Sequence, residues 1–134
     1  MRLVLDASVA IAALRPKEQS YAAARARVRR VANGDDVAVV PSLFVAEVAG
    51  ALARLGFDAA EIDAFLAELT SAPNEIVTLG PKRAHAAARV AVATKLRGAD
   101  ATYVWLAARE AVPVCTLDRE ILARGGAACQ VIGP

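Results

Sequence analysis

Four acidic residues interrupt or close apolar segments of this chain. Asp6 ends Leu3-Val4-Leu5, Glu47 lies inside Phe44-Val45-Ala46-Glu47-Val48, Asp100 stands between Ala99 and Ala101, and Asp118 follows Val114-Cys115-Thr116-Leu117. Burying a carboxylate is costly unless it is paired or bound to a cation, so acids in such surroundings need a reason to be there. At an effective dielectric of about 20, two like charges ~4 Å apart repel by roughly 4 kcal/mol; carboxylates sharing one pocket therefore take up protons, a cation or both. Mg2+ or Mn2+ suits an all-oxygen donor set, and an ion held this way polarises a phosphoryl oxygen and activates water for in-line attack. The expected reaction is hydrolysis of a phosphodiester, with Asp6, Glu47, Asp100 and Asp118 as catalytic metal ligands. Ser8 and Thr116 each lie two residues from an aspartate, on the same side of an extended segment, and are expected to hold a carboxylate or bound water in place. Each acid alone has a plainer reading, as a helix cap for the three aspartates and as a paired or half-exposed helix residue for Glu47. The ordered set is what favours a metal site.

Those side chains require elements to carry them. Residues 2–6 read as a strand, Val9 to Leu14 as a helix ended by Pro16, and Glu18 to Ala32 as a second helix stopped by Asn33-Gly34. A strand over Val37 to Val40 precedes a helix from Ser42 to Leu55, whose packing face is expected at Leu43, Ala46, Gly50 and Ala53. Gly56 stops it. Asp58 then caps a helix to Leu69, with Ile62, Phe65, Leu66 and Leu69 as its buried stripe. A strand at Ile76 to Leu79, an Ala-rich helix from Pro81 to Leu96, a helix from Asp100 to Ala111, a strand at Val114 to Thr116, a short helix from Asp118 to Arg124 and a strand at Gln130 to Ile132 complete the chain. Strands alternating with helices imply a mainly parallel sheet covered on both faces, hence an α/β/α fold. Ligands of such sheets collect at the carboxyl ends of strands where strand order reverses. Asp6 and Asp118 would meet there if the first and fourth strands are neighbours.

At 134 residues and 57% hydrophobic, residues 1–134 are expected to form one domain with a core that needs no disulfide. The longest apolar stretch is broken by Pro41, Ser42 and Glu47, so no membrane span is expected, and a start without secretion-signal regions leads us to expect a cytoplasmic location. Cys115 and Cys129 read as reduced, buried small hydrophobes, and with a lone His85 they offer no zinc-ligand spacing. Phe44, Phe57 and Phe65 are assigned to the core. A net charge of +2 is too small to indicate nucleic-acid binding by itself.

The segments Leu3-Val4-Leu5-Asp6-Ala7-Ser8, Val45-Ala46-Glu47-Val48, Ala99-Asp100-Ala101-Thr102 and Cys115-Thr116-Leu117-Asp118-Arg119, in that order, resemble the PIN-domain family over nearly the whole chain. The resemblance implies a Mg2+- or Mn2+-dependent ribonuclease, with the acids carried onto Asp6, Glu47, Asp100 and Asp118 and the supporting hydroxyls onto Ser8 and Thr116. A free-standing chain of this length is similar to the VapC toxins of toxin-antitoxin modules, which implies RNA as substrate, a VapB-like antitoxin as partner and a homodimer. Alternatives are a PIN nuclease of RNA maturation or decay, and a module that binds RNA or protein without turnover.

For RNA contact, Lys95, Arg97 and Arg119 lie nearest the acids in sequence and are favoured over Arg25, Arg27, Arg29 and Arg30, which read equally well as a solvated helix face. Tyr103 and Trp105 could face substrate but fit the core or a dimer contact better. Rival chemistries fare worse. A haloacid-dehalogenase-type phosphatase needs a second Asp where Ser8 stands, a phospho-receiver needs adjacent acids after the first strand and an acceptor Asp after a middle one, and Ser-His-Asp hydrolysis has no elbow motif to accompany His85.

Overall fold

The structure, a computed structural model, describes residues 1–134. Five strands, β1 (Arg2–Leu5), β2 (Val37–Pro41), β3 (Glu75–Val77), β4 (Val114–Cys115) and β5 (Val131–Ile132), form one sheet in the order β3-β2-β1-β4-β5. Every neighbouring pair is parallel, so the sheet is wholly rather than mainly parallel. Helices supply the crossovers that parallel pairing demands. They are α1 (Ala7–Ala12) and α2 (Tyr21–Ala32) after β1, α3 (Leu43–Arg54) and α4 (Ala59–Thr70) after β2, α5 (Pro81–Thr94) and α6 (Gly98–Glu110) after β3, and α7 (Arg119–Arg124) with a short 3-10 turn before β5. The first four helices pack against one another, and so do the last three. Crossovers of one hand that progress in opposite directions from the sheet centre put those groups on opposite faces, which gives the expected α/β/α layers.

Burial explains the strand sequences. Leu3, Val4, Leu5, Ala38, Val39, Val40, Val114 and Cys115 are all inaccessible to solvent, as consecutive residues must be in strands covered on both faces. Helix α6 is also buried around most of its circumference from Asp100 to Ala107, because it packs on β1, β2 and β4 and is covered by α5 and α7. It starts at Gly98, with Arg97 at the N-cap, so Asp100 lies in the first turn and does not cap the helix. Helix α4 buries Ile62, Leu66 and Leu69, with Phe65 half-buried, as its spacing predicts. Helix α3 departs from expectation. Its core stripe is Phe44, Val48 and Leu52, while Ala46 and Ala53 are exposed, since the bulkier residues fill the interior and the small ones leave space outside. Gly34 and Gly56 adopt φ of 79° and 93°, the left-handed turns that end α2 and α3.

Phe44 is fully buried, and Phe57 and Phe65 pack against the core. Both cysteines are free thiols, and burial pushes that of Cys115 up to about 11, which leaves it unreactive. His85 is exposed on α5. No helix is long and apolar enough to cross a membrane.

The basic cluster on α2 has a structural task. Asp36, fully buried, accepts from Arg30 Nε at 2.8 Å and Nη2 at 2.9 Å, from Arg27 Nη1 at 2.8 Å and from the α-amino group of Met1 at 2.6 Å. Arg25 lies over the Tyr21 ring at 5.5 Å. Arg27 and Arg30 are thus committed to tying the end of α2 to the start of β2. Hydrogen bonding from Arg30, reinforced by Met1 and Arg27, holds the Asp36 carboxyl well below the usual carboxylate range. Its folded pKa lies below an unfolded value of about 3.9, so the stabilisation is complete above that value and is lost as pH falls through the folded one. Asp36→Asn should lower the unfolding free energy by about 2 kcal/mol at neutral pH. In urea melts the gap to the wild type should narrow below about pH 4, and a gap independent of pH would contradict this linkage.

Candidate active site

Leu5 of β1 lies opposite Cys115 of β4, at the centre of the sheet. From β1 the chain moves outward to β2 and β3, whereas β4 and β5 lie on its other side, so the crevice between β1 and β4 is the switch point of the topology. Asp6 and Asp118 follow those two strands. Glu47 enters from α3 and Asp100 from the first turn of α6. All four carboxylates line one open cleft of about 450 Å3, together with Ser8, Gly50, Arg54 and Arg97.

Hydroxyl groups fix the Asp6 side of the cleft. Ser8 Oγ donates to Asp6 Oδ2 at 2.5 Å, and Thr116 Oγ1 donates to the same oxygen at 2.7 Å. Those hydroxyls also accept backbone hydrogen bonds, Ser8 from Leu117 N at 3.0 Å and Thr116 from Asp118 N at 2.9 Å. The loop after β4 is thereby tied to the loop after β1. Asp6 makes no side-chain cap to α1, so helix capping does not account for it. Burial raises its pKa from the ordinary aspartate value and the charges of Asp118 and Asp100 add to the rise, against the opposing pull of the two hydroxyls.

Glu47 is held from below. Tyr103, with only 1% of its surface exposed, donates its hydroxyl to Glu47 Oε2. Burial of Glu47 raises its pKa, as do the charges of Asp6 and Asp100, while the Tyr103 hydrogen bond works the other way. Burial and the adjacent Glu47 in turn push the Tyr103 phenol far up, so it acts only as a donor.

Asp118 combines two tasks. Its Oδ1 accepts from Glu120 N at 2.9 Å and Ile121 N at 3.1 Å and caps α7, as a capping aspartate should. Its Oδ2 faces Arg97 Nη2 at 3.4 Å, and Arg97 Nε donates to Asp100 Oδ2 at 2.9 Å. One guanidinium, 73% exposed, therefore stands between two of the acids. Placed so, the acids form no ready group of three or more ion ligands. The donor set nevertheless suits a hard divalent cation: it is all oxygen, and burial together with mutual repulsion destabilises the charge on Asp6 and Glu47.

The other residues singled out in the sequence divide. Ser8 and Thr116 both hydrogen-bond to Asp6, Ser8 from the first turn of α1 and not from an extended segment, and Arg97 is in the cleft. Arg119 lines an adjoining cleft instead. Lys95 lines neither; it is the left-handed residue ending α5, and its carbonyl accepts from Arg124. Trp105 is buried, with the Arg109 guanidinium 5.7 Å from its ring. Sequence reading overlooked Arg54 as a lining residue and mistook Gly50 for core. Their signal was the spacing Glu47, Gly50, Arg54, one turn and then two turns along a single helix face.

The PIN domain model matches residues 3–126. The chain belongs to the PIN-domain family. Among solved structures, this PIN domain is similar to VapC20 of Mycobacterium tuberculosis, a toxin that cleaves the sarcin-ricin loop, at 16% identity and TM-score 0.72 over 90% of this chain and 93% of that one. It is similar to VapBC-5 of the same organism, a member of the VapBC toxin-antitoxin family, at 25% identity and TM-score 0.59 over 99% and 98%. VapBC2 of Rickettsia felis, bound to a promoter DNA fragment, aligns at 13% identity and TM-score 0.69 over 99% and 98%. No curated protein matches the chain.

Since the Tyr103 hydroxyl favours ionised Glu47, Tyr103→Phe should raise the Glu47 pKa further. Carboxyl carbon NMR titration of Glu47 reads this directly; a downward shift or none would show that the phenol does not bear on its charge.

Proposed function

We propose that this PIN domain is a Mg2+- or Mn2+-dependent endoribonuclease, the toxin of a VapBC-type module, working as a homodimer and silenced by a VapB-like antitoxin. The observation that carries the reading is the convergence of Asp6, Glu47, Asp100 and Asp118, from four separate elements, in one cleft at the switch point of the sheet. Family membership supports nuclease chemistry. The toxin-antitoxin complexes among the similar structures support the antitoxin, and VapC20 supports RNA as the target. Homodimerisation rests on the family resemblance alone.

In this reading the four acids would hold the metal, which when bound polarises the phosphoryl group and lowers the pKa of water. The protein's own part is to prepare the oxygens. Ser8 and Thr116 both occupy Oδ2 of Asp6 and leave Oδ1 without a protein donor. Tyr103 occupies Oε2 of Glu47 and leaves Oε1 open. Arg97 balances Asp100 and Asp118 before substrate arrives, and its exposed guanidinium is placed to meet a substrate phosphate. Arg54, which also lines the cleft, gives the incoming polyanion a second positive charge.

Asp6→Asn and Asp100→Asn, purified free of contaminating nuclease, should each lose at least ~100-fold in metal-dependent RNA cleavage while retaining wild-type circular dichroism and melting behaviour. Unchanged cleavage by both variants would refute the assignment. Cleavage of DNA in preference to RNA would refute the substrate while leaving the acid centre intact.

A further inference from the structure

A second cleft of about 520 Å3 opens beside the acid centre. Ser8 and Ile11 line both clefts, so the two adjoin. Charge reverses across that shared wall. The acid centre sets four carboxylates against Arg54 and Arg97, whereas the second cleft sets Arg15 and Arg119 against Glu18 alone. Arg119 forms no ion pair, because the acids on either side of it in sequence are engaged elsewhere, Asp118 with Arg97 and Glu120 with Arg124. Arg15 pairs only with Glu18 at 2.8 Å, in a contact whose two side chains are 45% and 40% exposed, and such pairs are weak and readily exchanged.

From these features we propose that the second cleft holds the RNA segment next to the scissile bond, with Arg15 and Arg119 receiving its backbone phosphate. The proposal rests on the nuclease reading and adds to it a binding subsite on a defined side of the acid centre. A strand whose reacting phosphate lies over four carboxylates needs countercharge for the neighbouring phosphates, and this cleft offers it where the strand leaves the acids. The spacing is fixed by one side chain: Ser8 Oγ both donates to Asp6 and accepts from the backbone of Leu117, which lines the second cleft. Ser20 lines it too, and its hydroxyl makes no cap to α2, which leaves it free to meet a ribose hydroxyl. No aromatic residue lines the cleft, so it grips the backbone without stacking a base, and its contribution is independent of base sequence.

The test uses the full chain carrying Arg15→Gln or Arg119→Gln, with Arg89→Gln on the exposed face of α5 as a control of equal charge change. Binding of a short fluorescent single-stranded RNA is measured against salt, beside steady-state cleavage of the same RNA. Each cleft variant should bind about 5–10-fold more weakly at low salt and lose ~0.7 from the salt slope, with KM raised, kcat retained and the effect equal across RNA sequences; Arg89→Gln should match the wild type. If the wild type cleaves RNA and both cleft variants bind and cleave as Arg89→Gln does, the subsite is overturned and the nuclease reading stands. A wild type that neither binds nor cleaves RNA removes both. Variants that keep RNA affinity but lose a copurifying antitoxin would assign the cleft to protein and overturn the proposal.

Discussion

Carboxylates crowded into a half-buried cleft repel one another and are partly removed from the solvent that would screen them, and the residues around the cleft are arranged to meet that constraint. Asp6 is 5% exposed and Asp100 is 8% exposed, beside Glu47 and Asp118 in a single cleft. Such a grouping persists only if something compensates for it. Here compensation comes from Ser8 and Thr116 on one oxygen of Asp6, from Tyr103 on one oxygen of Glu47, from two backbone amides on Asp118 and from the Arg97 guanidinium between Asp118 and Asp100. These donors reduce the repulsion without ending it, as the raised pKa values of Asp6 and Glu47 record.

The fold supplies the rigidity that such an arrangement requires. Asp6 and Asp118 follow adjacent central strands in which Leu3, Val4, Leu5, Val114 and Cys115 are fully buried, and Tyr103 projects from a helix buried from Asp100 to Ala107. Groups fixed on packed strands and buried helices are held to closer tolerance than groups on loops. The same serine that holds Asp6 also ties down the loop after β4, so the acid centre and its neighbouring basic cleft share one wall. Charges of opposite sign on either side of that wall give the surface a direction along which a polyanion can lie.

The acids, their supporting hydroxyls and the alternation of strands and helices were legible in the sequence because each leaves a local trace: an acid ending an apolar run, a hydroxyl two residues away, a change of hydrophobic period. What needed the structure was non-local. Nothing near Asp36 in sequence shows that it is fully buried among Arg27, Arg30 and Met1, and the basic cluster on α2 therefore read equally as a phosphate contact or as a solvated helix face. On α3 the small residues Ala46 and Gly50 fit a helical period as well as Phe44, Val48 and Leu52 do, and only packing shows which stripe faces the core and which faces the acids. Arg97 and Lys95 are close in sequence, yet the left-handed turn at Lys95 separates their surroundings and leaves only Arg97 in the cleft.

The proposal that a cation completes this centre is tested most directly by a crystal equilibrated with Mn2+ and measured at the manganese absorption edge. Anomalous density inside the cleft bounded by Asp6, Glu47, Asp100 and Asp118, with Arg97 displaced from at least one of its two carboxylates, is the expected result. A cleft without anomalous density at saturating Mn2+, with Arg97 still bridging Asp100 and Asp118, would contradict it.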